Sequence, residues 1–187
     1  MPSIKKVIFT LLATTLTFML HAQADYYINM TAPNQQFRNA LWKNSDGTPA
    51  FAIYTTKRDL LGERKEVRIF QDSQEKYTLQ RKKTNRVLRD SESGEILVSR
   101  PFKYVLPNGQ VLTRRIRNWG RALHLEDRSG NLVASAETVK HPEVRRRLEL
   151  TIHQATGHDE ILAAMLSMDM LDQDRANHNF APILLCF

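Results

Sequence analysis

The sequence predicts a mainly β protein: an antiparallel closed barrel of about twelve strands around one buried hydrophobic C-terminal helix. Three observations predict it. Short segments along residues 37–153 alternate apolar and polar residues, the period of a strand with one dry face and one wet face. Turn sequences rich in Gly, Asn, Asp and Ser separate these segments, and such short connections join antiparallel neighbours. After the last of them, Ile161, Leu162, Met165, Leu166, Met168, Met170 and Leu171 spread around most of a helix circumference. A helix apolar on nearly every side must be enclosed on nearly every side. A flat sheet covers one side of it, whereas a barrel surrounds it and removes the sheet's sticky edges.

In chain order, residues 25–35 read as a leader and residues 36–187 as the barrel domain. Residues 37–43 lead to the turn Asn44-Ser45-Asp46-Gly47, and residues 50–55 follow with Phe51, Ile53 and Thr55 on one side. Residues 66–72 put Val67, Ile69 and Gln71 on one face, and residues 76–81 set Tyr77 and Leu79 against Lys76 and Thr78. Residues 86–90 and 95–103 flank Ser91-Glu92-Ser93-Gly94, and residues 104–106 and 111–116 flank Pro107-Asn108-Gly109. Residues 122–127 and 132–136 flank Arg128-Ser129-Gly130-Asn131. Residues 147–153 alternate Leu148, Leu150 and Ile152 against Glu149, Thr151 and His153. Two hairpins share one pattern, Asp90 before Gly94 and Asp127 before Gly130, in which the Asp bonds the turn backbone and the Gly takes positive φ. The helix is expected over about 159–173. Thr156 and Asp159 stand three apart before it, like a capping box with Asp in place of Glu. At roughly four turns it is about half a bilayer span. Residues 180–187 are expected as a last strand closing onto the sheet.

The chain has 187 residues, 42% hydrophobic and 25% charged, ordinary values for one soluble domain. Residues 1–24 differ from the rest. Lys5 and Lys6 precede an apolar stretch over 7–20, and Ala22-Gln23-Ala24 forms a small-x-small cleavage site. This is the pattern of a cleaved signal peptide, so the protein is expected to be exported, to a bacterial periplasm or outside the cell. Cys186 is the only cysteine, which excludes an internal disulfide and a lipidated cysteine at the cleavage site. Without Lys5 and Lys6, 25 Lys and Arg remain against 20 Asp and Glu, a net +5. Residues 57–117 hold 16 basic and 8 acidic residues. Such a surface suits anionic partners, and it equally suits a solvated barrel exterior. Export and the lack of a nucleic-acid motif argue against nucleic acid.

The strand-Asp-loop-Gly-strand hairpins run into Trp119-Gly120 and then Leu125-Glu126-Asp127-Arg128-Ser129-Gly130-Asn131-Leu132-Val133-Ala134. They end in His158-Asp159-Glu160-Ile161-Leu162-Ala163-Ala164-Met165-Leu166-Ser167-Met168-Asp169. Over roughly residues 36–187 this resembles the LURP-one-related and phospholipid scramblase-like group of the tubby C-terminal-like superfamily. The resemblance implies a twelve-stranded barrel wrapped around a hydrophobic helix that often carries one acid near its end, where Asp169 falls. It also implies membrane association, phosphoinositide binding through basic barrel residues, or calcium binding near the helix. The chain departs from the group in its export signal and in a helix too short for a bilayer.

The basic residues Arg81, Lys82, Lys83 and Arg86, then Arg114, Arg115 and Arg117, then Arg145 and Arg147 are the candidate anion-binding patch. Alternate strand residues share a face, so Arg115 points with Arg117 and Arg145 with Arg147. The guanidinium fork suits phosphate. Leu162, Met165, Leu166, Met168 and Asp169 are the expected core of the helix. A carboxylate at Asp169 has two readings. A raised pKa would fit it to acid–base work. The reading preferred here is structural, accepting hydrogen bonds from a neighbouring strand or a buried arginine. Ser167 has no nucleophile elbow around it, and the 7 glycines form no phosphate-cradling loop. His153, His158, Asp159 and His178 have a spacing that zinc could use, but a loop between them leaves the geometry open. The expectation is therefore no catalytic residue, no metal and no cofactor. The protein reads as an exported binding protein for anionic phospholipid or another acidic envelope component, its protein partner unspecified. The alternatives are a structural or protein-interaction barrel of the periplasm with no small ligand, and an enzyme of unknown class. A lipocalin-like carrier is disfavoured because the helix would plug its lumen.

Overall fold

The computed structural model describes residues 24–30, 39–58, 64–82, 84–144 and 146–180. The expected signal peptide lies outside the described residues apart from Ala24. Twelve strands form the barrel: β1 (Tyr26–Met30), β2 (Asn39–Asn44), β3 (Pro49–Arg58), β4 (Arg64–Gln71), β5 (Gln74–Lys82), β6 (Asn85–Asp90), β7 (Ile96–Arg100), β8 (Lys103–Val105), β9 (Val111–Arg117), β10 (Ala122–Glu126), β11 (Leu132–Val139) and β12 (Arg146–Ile152). Each pairs antiparallel with its successor, and β1 also pairs β12, which closes the ring. The expected fold class, a closed antiparallel barrel with one C-terminal helix packed against its strands, is the observed one. Helix α1 (Asp159–Phe180, 22 residues) is about 33 Å long and threads it.

Alternation along the strands builds the core. Val67 and Ile69 on β4, Tyr77 and Leu79 on β5, Leu148 and Leu150 on β12 all face inward and are buried. They meet Leu162, Met165, Leu166 and Met168, each wholly buried, and α1 contacts β6, β7, β11 and β12. Thr156 and Asp159 start the helix: Asp159 Oδ1 accepts from the Thr156 backbone N–H at 2.7 Å, and Thr156 Oγ1 accepts from the His158 N–H at 3.1 Å. Asp159 and Glu160 also place negative charge in the first turn, against the positive end of the helix dipole.

Four elements differ from expectation. The expected leader, 25–35, contains β1, which closes the barrel with Ile28 and Met30 buried. Only five residues long, it carries too short an alternation to stand out. The expected closing strand over 180–187 is not needed for that role: Phe180 ends α1, and residues 181–187 lie outside the described residues. The helix runs seven residues past 173, beyond the point where the apolar period of the sequence stops. Pro182 lies two residues beyond its end, a natural stop. Expected strand 95–103 is cut by a turn at Pro101-Phe102 into β7 and β8.

Successive antiparallel strands run in opposite directions, so successive turns alternate between the two barrel ends. The end where α1 begins, the N-mouth, carries the turns after β2, β4, β6, β8, β10 and β12. Contacts agree: His158 Nδ1 lies 3.2 Å from Glu95 Oε2, and the Ile152 N–H donates to Asp25 at 2.6 Å. The opposite end, the C-mouth, carries the turns after β7, β9 and β11, and the 3-10 turn Asn118–Gly120 leans on α1 there. Among the described residues no helix is long and apolar enough to cross a membrane.

Candidate functional site

Asp169 is the centre of a buried polar cluster. Register puts Arg86 opposite Ser99 and Ser99 opposite Tyr104, and Arg114 follows Leu112 by two on β9. All four therefore face the lumen from four successive strands. Asp169 Oδ2 accepts from the Tyr104 hydroxyl at 2.7 Å, Arg114 Nη1 at 2.8 Å and Ser99 Oγ at 3.2 Å. Asp169 Oδ1 accepts from Arg86 Nη1, and Arg86 Nη2 reaches Asp172 Oδ2 at 2.9 Å. Two guanidinium cations thus meet two carboxylates. Burial alone would lower the Arg86 pKa, but the charges of Asp169 and Asp172 outweigh it and hold the group above its usual value. Burial, then the Asp169 charge, pushes Tyr104 well above the ordinary phenol range, so it remains a donor. A buried carboxylate with four donors has its hydrogen-bonding capacity satisfied.

This assigns Arg86 and Arg114 away from the expected anion-binding patch. They are inside the barrel, with side chains only 25% and 20% exposed. The signal was present in the sequence, since Arg86 shares the parity of Leu88, and Arg114 that of Leu112. The other candidates sit on separate sectors. Arg81 and Lys82 are exposed on β5. Arg115 and Arg117 lie on the outer face of β9, four strands away, at 3.4 and 3.6 Å from Glu126. Arg147 on β12 donates to Asn29 Oδ1 at 2.9 Å and stacks 4.3 Å over the Tyr27 ring. Lys83 and Arg145 lie outside the described residues. Arg81, Lys82, Arg115, Arg117 and Arg147 form no single patch on the wall, but all five stand in the strand halves toward the C-mouth.

The two mouths differ in charge. The N-mouth turns hold Asp46, Asp72, Glu92, Glu95 and Asp127, joined by Asp25, Asp159 and Glu160, with Lys43, Lys76, Arg89 and Arg128 as its bases. Among the described residues the C-mouth holds exposed Lys82, Arg100, Lys103, Arg117, Arg121 and Lys140, with Glu143 in its β11–β12 turn and Glu137 in the row of Arg117 among its acids. Among the described residues Lys82, Arg100, Lys103, Arg121 and Lys140 make no ion pair. The C-mouth also exposes Phe102 (77%) and Trp119 (98%), neither of which sequence reasoning singled out as a site.

Of the histidines, His153 Nε2 lies 2.9 Å from Ser135 Oγ and His158 engages Glu95. Among the described residues no group of three or more His, Cys, Asp or Glu is arranged to hold a metal ion. Depressions at the N-mouth, one lined by Asn108, Gly109, Asp127 and Arg128 and another by Gly94, Pro107 and His158, are open rather than enclosed.

No protein-family model and no curated protein matches this chain. A solved structure is similar to it, the X-ray structure of a protein from Arabidopsis thaliana, at 13% identity over 77% of this chain and 91% of that one, with a TM-score of 0.45.

Proposed function

We propose that this is an exported, non-enzymatic binding protein that docks on anionic phospholipid by the C-mouth of its barrel. The single observation that carries the reading is the segregation of charge between the mouths. A field positive at one end and negative at the other orients the molecule toward an anionic surface before contact. The exposed cations of the C-mouth run along its rim from β5 to β11, which fits a broad surface better than one small ligand. The satisfied state of Asp169 supports binding over catalysis. The resemblance to the tubby-like superfamily, with its barrel around a helix and its basic lipid-binding residues, points the same way, as does the signal-like stretch over 1–24.

The test is vesicle flotation of the chain from residue 25 onward. Co-flotation with phosphatidylglycerol-containing vesicles, absent with phosphatidylcholine alone and lost at high salt, is the expected result. Equal indifference to both vesicle types contradicts the reading. Cell fractionation tests export: a full-length chain retained uncleaved in the cytoplasm contradicts that part.

A further inference from the structure

The C-mouth carries two aromatic side chains that folding does not explain. Trp119 is 98% exposed, and Asn118 and Trp119 both have positive φ, +50° and +56°. Such backbone is unfavourable for a bulky residue and is held only where the surroundings over-determine it. Here they do. The Arg121 N–H donates to Asn118 O at 3.1 Å, the Thr138 N–H donates to Arg121 O at 2.8 Å, and Gly120 is buried. The turn is a fixed platform with an indole standing in water. Phe102, 77% exposed, tips the two-residue turn between β7 and β8, and its carbonyl accepts from the Arg114 N–H at 2.8 Å. The two turns are consecutive ones at the same mouth, flanking the β8–β9 pair.

Resting on the lipid-docking reading, we propose that these two turns form an aromatic anchor: Phe102 and Trp119 seat at the headgroup–acyl boundary of an anionic bilayer. Arg100, Lys103, Arg117 and Arg121 flank them and meet the headgroup phosphates. Indole rings are placed stably at that boundary, apolar body down and N–H toward water. The core of a protein–protein interface is depleted of charge; here cations stand immediately beside both rings. The anchor also fixes orientation, with the N-mouth and its acids facing away from the membrane.

The chain offers its own reporter. It has two tryptophans; Trp42 is wholly buried and Trp119 is 98% exposed, so a change on adding vesicles belongs to Trp119. Vesicles of phosphatidylglycerol and phosphatidylcholine should shift the emission to the blue and protect it from acrylamide, and brominated acyl chains should quench it. The double variant Phe102→Ala, Trp119→Ala should keep the circular dichroism spectrum of the parent and float with these vesicles at least tenfold more weakly. Binding with unshifted, unquenched emission and an equally tight double variant overturns the anchor and leaves the lipid-docking reading standing. Failure to bind the vesicles at all overturns both. Protection of Trp119 that rises with protein concentration without vesicles assigns the tip to self-association and overturns the anchor.

Discussion

At the N-mouth almost every charge has a local job. Asp90 Oδ1 accepts from the backbone N–H groups of Glu92 and Ser93 at 2.9 and 2.7 Å, and Asp127 Oδ1 from those of Ser129 and Asn131 at 2.8 and 2.9 Å. Asp159 caps the helix and Glu95 meets His158. At the C-mouth the charges that fold the chain are hidden, Arg86 and Arg114 against Asp169, while exposed Lys82, Arg100, Lys103, Arg121 and Lys140 make no ion pair among the described residues. The difference teaches where to look for a partner. A mouth whose polar groups are consumed by turns and caps is accounted for by folding. A mouth that exposes an indole on positive-φ backbone, beside cations with no ion pair among the described residues, is where the proposed partner would dock.

The comparison presupposes an enclosed helix between the mouths, and the largest effect tests that. Leu166→Lys should prevent folding, because the charge has no exit to solvent; an ordinary urea melt of this variant would break the whole picture. Next comes the cluster below the C-mouth. Asp169→Ala leaves Arg114 without its carboxylate and Arg86 with Asp172 alone, at a cost of about 3 to 5 kcal/mol in chemical denaturation. Leu166→Ala should cost about 2 to 5 kcal/mol, as large-to-small core changes do. At the N-mouth, burial alone would raise the Asp90 pKa, but the Ser93 and Glu92 hydrogen bonds outweigh it and the net shift is downward. A depressed folded-state pKa gives stability that is present above the unfolded carboxylate value of about 3.9 and is lost as pH falls below it. Asp90→Asn should therefore cost about 1 kcal/mol at neutral pH and flatten the loss of stability below about pH 4. The smallest effect has the opposite sign. Trp119→Gly relieves positive φ and should leave stability unchanged or raise it by up to about 1 kcal/mol, while weakening vesicle binding. A clear loss of stability would show that the indole serves the fold, and the contrast between the mouths would blur.

Much of this was legible in the sequence. Alternation in pairs such as Tyr77 with Leu79 and Leu148 with Leu150 marked the strands, and the all-round apolar run at Leu162–Met168 required a closed wall. Asp169 announced its need for a buried arginine, though not which one. Parity with Leu88 and Leu112 would have named Arg86 and Arg114, but a cluster of basic residues reads first as a surface. β1 was hidden by its length beside the apolar N-terminal stretch. The exposure of Trp119 was not legible, because a tryptophan beside a strand ordinarily reads as core and no periodicity marks a left-handed turn. The charge of each mouth became visible only once strand order assigned every turn to an end.

The most direct measurement compares neutralisation at the two mouths. One variant carries Arg100→Gln, Lys103→Gln, Arg117→Gln and Arg121→Gln; the other carries Lys43→Gln and Arg128→Gln at the N-mouth. Each cation near an anionic surface contributes about 1 kcal/mol. In flotation with phosphatidylglycerol vesicles at low salt, the C-mouth variant should lose more than tenfold in binding and the N-mouth variant should bind like the parent. Equal binding by both variants, or a loss confined to the N-mouth variant, would contradict the claim that this barrel meets its partner at the C-mouth.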